Sequence, residues 1–133
     1  MVAAALLMSC AGGARFSDSV AKLPAPKQGE GRIWFFRPQK VLGCAVQSAV
    51  RLNGQIVGTA KPGGFFHVDR PAGQYEATCT TEWSHSINFA LAAQSSKYIR
   101  LILLPGVFVG HVVPKQDNPA DALEDLRGLN AND

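Results

Sequence analysis

Closely spaced turn signals are the feature that most constrains the fold of this chain. Asn53-Gly54 separates two apolar segments, and this pair is the strongest short hairpin signal because a type I′ turn needs positive φ at both central residues. Two further turns, rich in Gly and Pro, fall at residues 61–64 and 70–73. Turns this close together leave room only for short strands, so the sequence predicts a mainly β domain.

The segments between the turns have the composition of strands, since they are rich in β-branched and aromatic residues. The predicted strands are residues 32–37, 47–52, 55–59, 65–69, 74–81, 86–91, 97–104 and 107–113. Seven or eight short strands within residues 31–113 predict an antiparallel β-sandwich, because a single sheet would leave half of the apolar residues in water.

The C-terminal tail, residues 114–133, changes from strand to helix character. Asn118 suits an N-cap and Gly128 suits the position after the last turn of a helix. We therefore expect one short helix over residues 119–127. The apolar residues that share one face of this helix are Leu123 and Leu126.

The N-terminus has features of an export signal. Residues 1–10 end in Leu7-Met8-Ser9-Cys10, which resembles a bacterial lipobox and predicts a lipid-modified Cys10 after removal of a signal remnant. Residues 11–30 are rich in small and polar residues and predict a flexible tether. The alternative is a free cysteine in an apolar N-terminal segment that packs on the fold.

Composition excludes two classes of function. The 133 residues carry a net charge of +3 with no basic block, so we expect no nucleic-acid partner. No apolar run approaches the roughly 20 residues that a membrane-spanning helix requires. Membrane association is therefore expected through the lipid on Cys10, in the bacterial cell envelope on the periplasmic side of the inner or outer membrane.

The order of the turn motifs resembles a known family. The segments are residues 32–38, then Asn53-Gly54 with Gly58, then residues 64–66 and 71–75. Over about residues 31–113 the chain is similar to the bacterial lipoprotein family catalogued as domain of unknown function 2846. It is similar more loosely to PEGA-like, transthyretin-like and immunoglobulin-like sandwich modules. The resemblance implies export, lipidation and a β-sandwich, and it implies no catalytic residues.

Two cysteines remain after Cys10. In an oxidising compartment Cys44 and Cys79 could form a disulfide, which would stabilise a small sandwich by about 3–4 kcal/mol. The alternative is two separately buried thiols, because cysteine is among the most frequently buried residues. The sequence leaves both alternatives open.

Neither a metal site nor a hydrolase site is predicted. The chain contains three histidines: His67, His85 and His111. Their spacing fits no metal-binding motif, so no metal and no cofactor are expected. Ser84 or Ser86 could combine with His85 and Asp69, but no nucleophile elbow is present.

Aromatic residues form the strongest candidate binding surface. If one face of residues 33–36 points into the sandwich, Trp34 and Phe36 point out of it. They could form a binding patch with Trp83, rimmed by Arg32 and Arg37, since aromatic residues and Arg are typical interface anchors. The alternative, which the rarity of large exposed apolar patches on monomers favours, is that the C-terminal helix covers this face with Leu123 and Leu126.

These observations together predict a tethered envelope lipoprotein. We expect a non-catalytic binding or scaffolding module whose partner is an envelope protein or a glycan. The alternative function is a small envelope hydrolase or the accessory subunit of an enzyme.

Overall fold

A computed structural model of the protein describes residues 12–38, 47–105 and 110–132. In these ranges the chain forms nine strands and two short helices. Their bounds in chain order are α1 Phe16–Ala21, β1 Glu30–Phe36, β2 Ala49–Leu52, β3 Gln55–Thr59, β4 Gly64–Pro71, β5 Gly73–Thr80, β6 Ser84–Leu91, β7 Ser96–Leu104, β8 His111–Asp117, α2 Pro119–Leu126 and β9 Asn130–Ala131.

The strands form two sheets, and the predicted β-sandwich with a short C-terminal helix is confirmed. Sheet A has five strands in the order β8-β7-β1-β4-β9, and sheet B has four in the order β3-β2-β5-β6. Paired strands are antiparallel, apart from the parallel pairs β1–β7 and β4–β9. Strand β9 has only two residues, so eight strands carry most of the two sheets.

The turn between β2 and β3 has the predicted chemistry. Asn53 and Gly54 have φ values of 49° and 85°, as a type I′ turn requires. Asn53 also ties this hairpin to β5, because its Oδ1 accepts a hydrogen bond from the backbone N–H of Glu76 at 2.8 Å.

The main core lies between the two sheets. Ile33 and Phe35 of β1 are completely buried there, and the ring of Phe35 stacks on Phe66 at 5.0 Å. The other fully or nearly fully buried members are Val50, Leu52, Ala60, Ala77, Cys79, Phe89, Leu91, Ile99, Leu101 and Val112.

A second apolar cluster covers the outer face of sheet A. Trp34 and Phe36, on the opposite side of β1 from the main core, pack beneath Phe16 of α1 and Leu126 of α2. Phe16 meets Trp34 edge to face, with ring centroids 5.1 Å apart. The fold therefore has three layers, with sheet A in the middle.

The predicted flexible tether over residues 11–30 is corrected for the described residues 12–30. Phe16 is only 7% exposed, and the N–H of Gly13 donates to the carbonyl of Ala131 at 3.0 Å. The physical reason is that one large aromatic residue, placed over Trp34, is enough to hold a segment whose average composition is polar.

The last strand of the sandwich also differs from the prediction. Strand β8 runs from His111 to Asp117, where residues 107–113 were expected; residues 106–109 lie outside the described part. Pro114 did not end the strand, because β8 is an edge strand of sheet A and its outer side needs no N–H donor. The sandwich therefore extends beyond residue 113.

The covering of sheet A by α2 can be tested by truncating Leu126. Because Leu126 is completely buried, Leu126→Ala should lower the free energy of unfolding by about 2–4 kcal/mol. Leu104→Ala is the matched control, since Leu104 is 46% exposed and should cost less than about 1 kcal/mol. Urea unfolding followed by circular dichroism measures both, and equal losses would contradict the covering role of α2.

Candidate functional site

The aromatic patch predicted on β1 is not available to a partner. Trp34 is 4% exposed and Phe36 is 0% exposed. Leu126 is buried in the same cluster and Leu123 packs against it. The structure therefore agrees with the alternative in which the C-terminal helix covers this face, and the binding-patch prediction is corrected for both aromatic residues.

The two arginines expected at the rim of the patch are also buried. Arg32 donates from Nε and Nη2 to the carboxylate of Asp69 at 2.7 and 2.9 Å, and from Nη2 to the carbonyl of Pro24 at 2.8 Å. This pairing lowers the pKa of Asp69. Arg37 is 0% exposed and donates to the carbonyl of Ala60 at 2.7 Å. Both guanidinium groups fix main-chain segments.

Trp83 is the member of the predicted patch that stays exposed. It lies in the turn between β5 and β6 and is 53% exposed. The turn is closed by the N–H of Thr81, which donates to the carbonyl of Trp83 at 3.1 Å. The hydroxyl of Ser48 fixes the residue before this turn, because it accepts a hydrogen bond from the N–H of Thr80 and donates one to the carbonyl of Thr80.

Two of the three histidines meet beside this turn. His85 Nε2 and His111 Nδ1 are 3.1 Å apart, and the ring of Trp83 lies 4.2 Å from the ring of His111. His85 belongs to β6 of sheet B and His111 begins β8 of sheet A. The contact therefore joins the two sheets at one end of the sandwich.

A carboxylate completes this group. Glu82 Oε1 lies 3.6 Å from His111 Nε2, and the two side chains are 12% and 7% exposed. The distance is too long for a hydrogen bond, and the two side chains form an ion pair only when His111 is protonated. We refer to Glu82, Trp83, His85 and His111 as the histidine cluster.

His67 does not join the other two histidines. It lies on β4 with its ring 4.9 Å from the ring of Trp34. Burial, together with the positive charge of Arg32, lowers the pKa of His67. Among the described residues no group of three or more His, Cys, Asp or Glu side chains is arranged to hold a metal ion.

The hydrolase combination considered from the sequence is not assembled. The hydroxyls of Ser84 and Ser86 bond the hydroxyls of Thr80 and Thr78 at 2.8 and 2.7 Å. The imidazole of His85 bonds His111, as described above. Asp69 lies in sheet A, where Arg32 binds its carboxylate.

Cys79 is a completely buried free thiol on β5. Burial raises its pKa to about 12, although contact with Ser48 opposes the shift. Cys44 and the lipidation residue Cys10 lie outside the described residues, so the disulfide and the acylation stay predictions.

A shallow groove of about 500 Å³ lies at the other edge of sheet A. It follows the outer edge of β4, whose pairing with β9 covers only Gly64 and Phe65. The residues that line the groove are Ser19, Leu23, Phe65, Phe66, His67, Ala131 and Asn132.

Comparisons with protein-family models, with curated proteins and with solved structures find no match to this chain. In the described ranges, no helix has both the length and the apolar character that crossing a bilayer requires.

Sequence reasoning missed the histidine cluster because its members come from two sheets. Glu82, Trp83 and His85 are neighbours in sequence, but His111 reaches them only through the packing of β8 against β6. The available signal was local: an acidic residue, a tryptophan and a histidine within four positions of one hairpin turn.

The state of Cys79 can be tested by alkylation. Because the thiolate is the reactive form, we expect Cys79 to resist iodoacetamide at pH 8.5 in the folded protein and to react in urea without reductant. Peptide mapping by mass spectrometry measures both reactions. If Cys79 reacts in urea only after a reductant is added, it is held in a disulfide and the free-thiol description is wrong.

Proposed function

We propose that this protein is a lipid-anchored, non-catalytic binding or scaffolding module of the bacterial cell envelope. The lipobox-like sequence ending in Cys10 and the resemblance to lipoproteins of domain of unknown function 2846 support the anchor. The β-sandwich supports the binding role, because such domains present loops and turns at the ends of a rigid scaffold.

The N-terminal contacts set how closely the module sits to its anchor. Gly13 bonds Ala131 at 3.0 Å, and the N–H of Ala131 donates to the carbonyl of Ala14 at 2.7 Å. Cys10 precedes Gly13 by three residues, which span at most about 10 Å when extended. The proposed module is therefore held near the lipid surface. A flexible tether of 20 residues would instead allow it to move much farther from the membrane.

The exposed Trp83 is the observation that carries the binding role. Its ring is half exposed, yet it is supported on one side by the ring of His111 at 4.2 Å. An aromatic side chain fixed in this way loses little conformational entropy when a partner covers it, which is why Trp is enriched among interface anchors.

The anchor and Trp83 belong to opposite edges of the sandwich. The N-terminal segment docks on β9, whereas Trp83 contacts His111 on β8. These two strands are the edges of sheet A, separated by four strand spacings, or roughly 19 Å. The proposed binding surface therefore points away from the anchored edge, towards envelope proteins or glycans.

The anchor is tested by metabolic acyl labelling of the protein expressed in a bacterium with lipoprotein processing. The wild type should take up labelled fatty acid and sediment with membranes, whereas Cys10→Ala should do neither. Cys44→Ala is the matched control and should behave as the wild type. Equal labelling of Cys10→Ala, or no labelling of the wild type, would contradict the proposed anchor.

The binding surface is tested by placing a photo-crosslinking amino acid at position 83 in living cells. Position 56 is the matched control, because Ile56 is 61% exposed on β3, the edge strand of sheet B farthest from β6. We expect a discrete crosslinked band or glycan adduct from position 83 and none from position 56. Identical patterns from the two positions would show that Trp83 marks no specific surface.

A further inference from the structure

The contact between His85 and His111 brings two imidazole nitrogens close together. His85 Nε2 and His111 Nδ1 lie 3.1 Å apart. Two nitrogens at this distance can share one proton, as in a hydrogen bond, or can both bind one cation. Imidazole nitrogen is a preferred ligand of Zn²⁺, Cu²⁺ and Ni²⁺.

We propose that the histidine cluster is a binding site for a divalent transition-metal ion. His85 Nε2 and His111 Nδ1 supply the two protein ligands, and water fills the remaining positions. With metal–nitrogen bonds of 2.0–2.1 Å, a separation of 3.1 Å gives a ligand angle of about 100°. This angle lies between the values for octahedral and tetrahedral coordination.

Glu82 prepares His111 for this role. Its carboxylate lies 3.6 Å from His111 Nε2, so it favours a proton on that nitrogen and leaves the lone pair on Nδ1. A carboxylate behind a histidine ligand is a common outer-shell arrangement in metal sites, and at this distance Glu82 acts on His111 through its negative charge. Trp83 restrains the same ring from its face.

His85 is the ligand that must adjust. A metal ion bound by both nitrogens lies off the line that joins them, so that each metal–nitrogen bond makes an angle of about 40° with that line, given the bond lengths above. His85 is only partly buried, whereas His111 is nearly completely buried, so the adjustment falls on the ring of His85. When the metal binds, His85 carries its proton on Nδ1.

The site differs from a structural zinc centre in its number of protein ligands. With two imidazoles and open positions, the ion exchanges with solution and follows the order of affinities Cu²⁺ above Ni²⁺. The proposal uses only the geometry of the cluster and does not depend on the lipid anchor or on a partner at Trp83.

The test is a Ni²⁺ titration of the full chain, purified in detergent, by isothermal calorimetry with tryptophan fluorescence in parallel. We expect one Ni²⁺ per chain, with fluorescence quenched because Trp83 lies beside the site. In Trp83→Phe the heat of binding should persist while most of the quenching disappears.

Three further variants decide the ligands. His85→Gln and His111→Gln should each weaken Ni²⁺ binding at least tenfold, and Glu82→Gln should weaken it about tenfold, as expected for an outer-shell carboxylate. His67→Gln is the matched control and should bind as the wild type. Circular dichroism in urea checks folding, and His85→Gln carries the argument if His111→Gln is unstable.

Two results would overturn the proposal. One is the absence of saturable Ni²⁺ binding by the wild type. The other is binding that survives in His85→Gln or is lost in His67→Gln, since the ion would then lie elsewhere on the chain.

Discussion

The apolar character of β1 on both of its faces is the constraint on which the rest of this structure depends. Ile33 and Phe35 fill the space between the sheets, which leaves Trp34 and Phe36 on the other side of the same strand. An ordinary sandwich would expose that second face to water. In this protein both ends of the described chain cover that second face, through Phe16 and the C-terminal helix. The domain therefore has three layers.

Local chemistry explains which parts of the fold were predictable. The hairpin at Asn53 and the helix after Asn118 depend on residues a few positions apart, so both can be predicted from local sequence. The side chain of Asn118 accepts a hydrogen bond from the backbone N–H of Asp121 at 2.9 Å, as an N-cap residue should. The N-terminal segment was predicted wrongly because its packing depends on Phe16 meeting Trp34, a contact that average composition does not reveal.

The candidate site was less accessible to sequence reasoning for the same reason. An alternation pattern gives the two faces of β1 but does not show what covers the outer face, so the sequence alone left the exposure of Trp34 and Phe36 open between two alternatives. The pairing of His85 with His111 depends on how the two sheets pack, because these residues lie on strands of different sheets.

The pairing of the two ends of the described chain also affects when the domain can form. Asn130 bonds the carbonyl of Gly13 across 117 positions of sequence, and Asn130 also pairs with the start of β4. A chain emerging from the ribosome therefore has no partner for residues 13–15 until residues 129–131 have also emerged. Residues 13–15 therefore pair late, after the strands of both sheets have been synthesised.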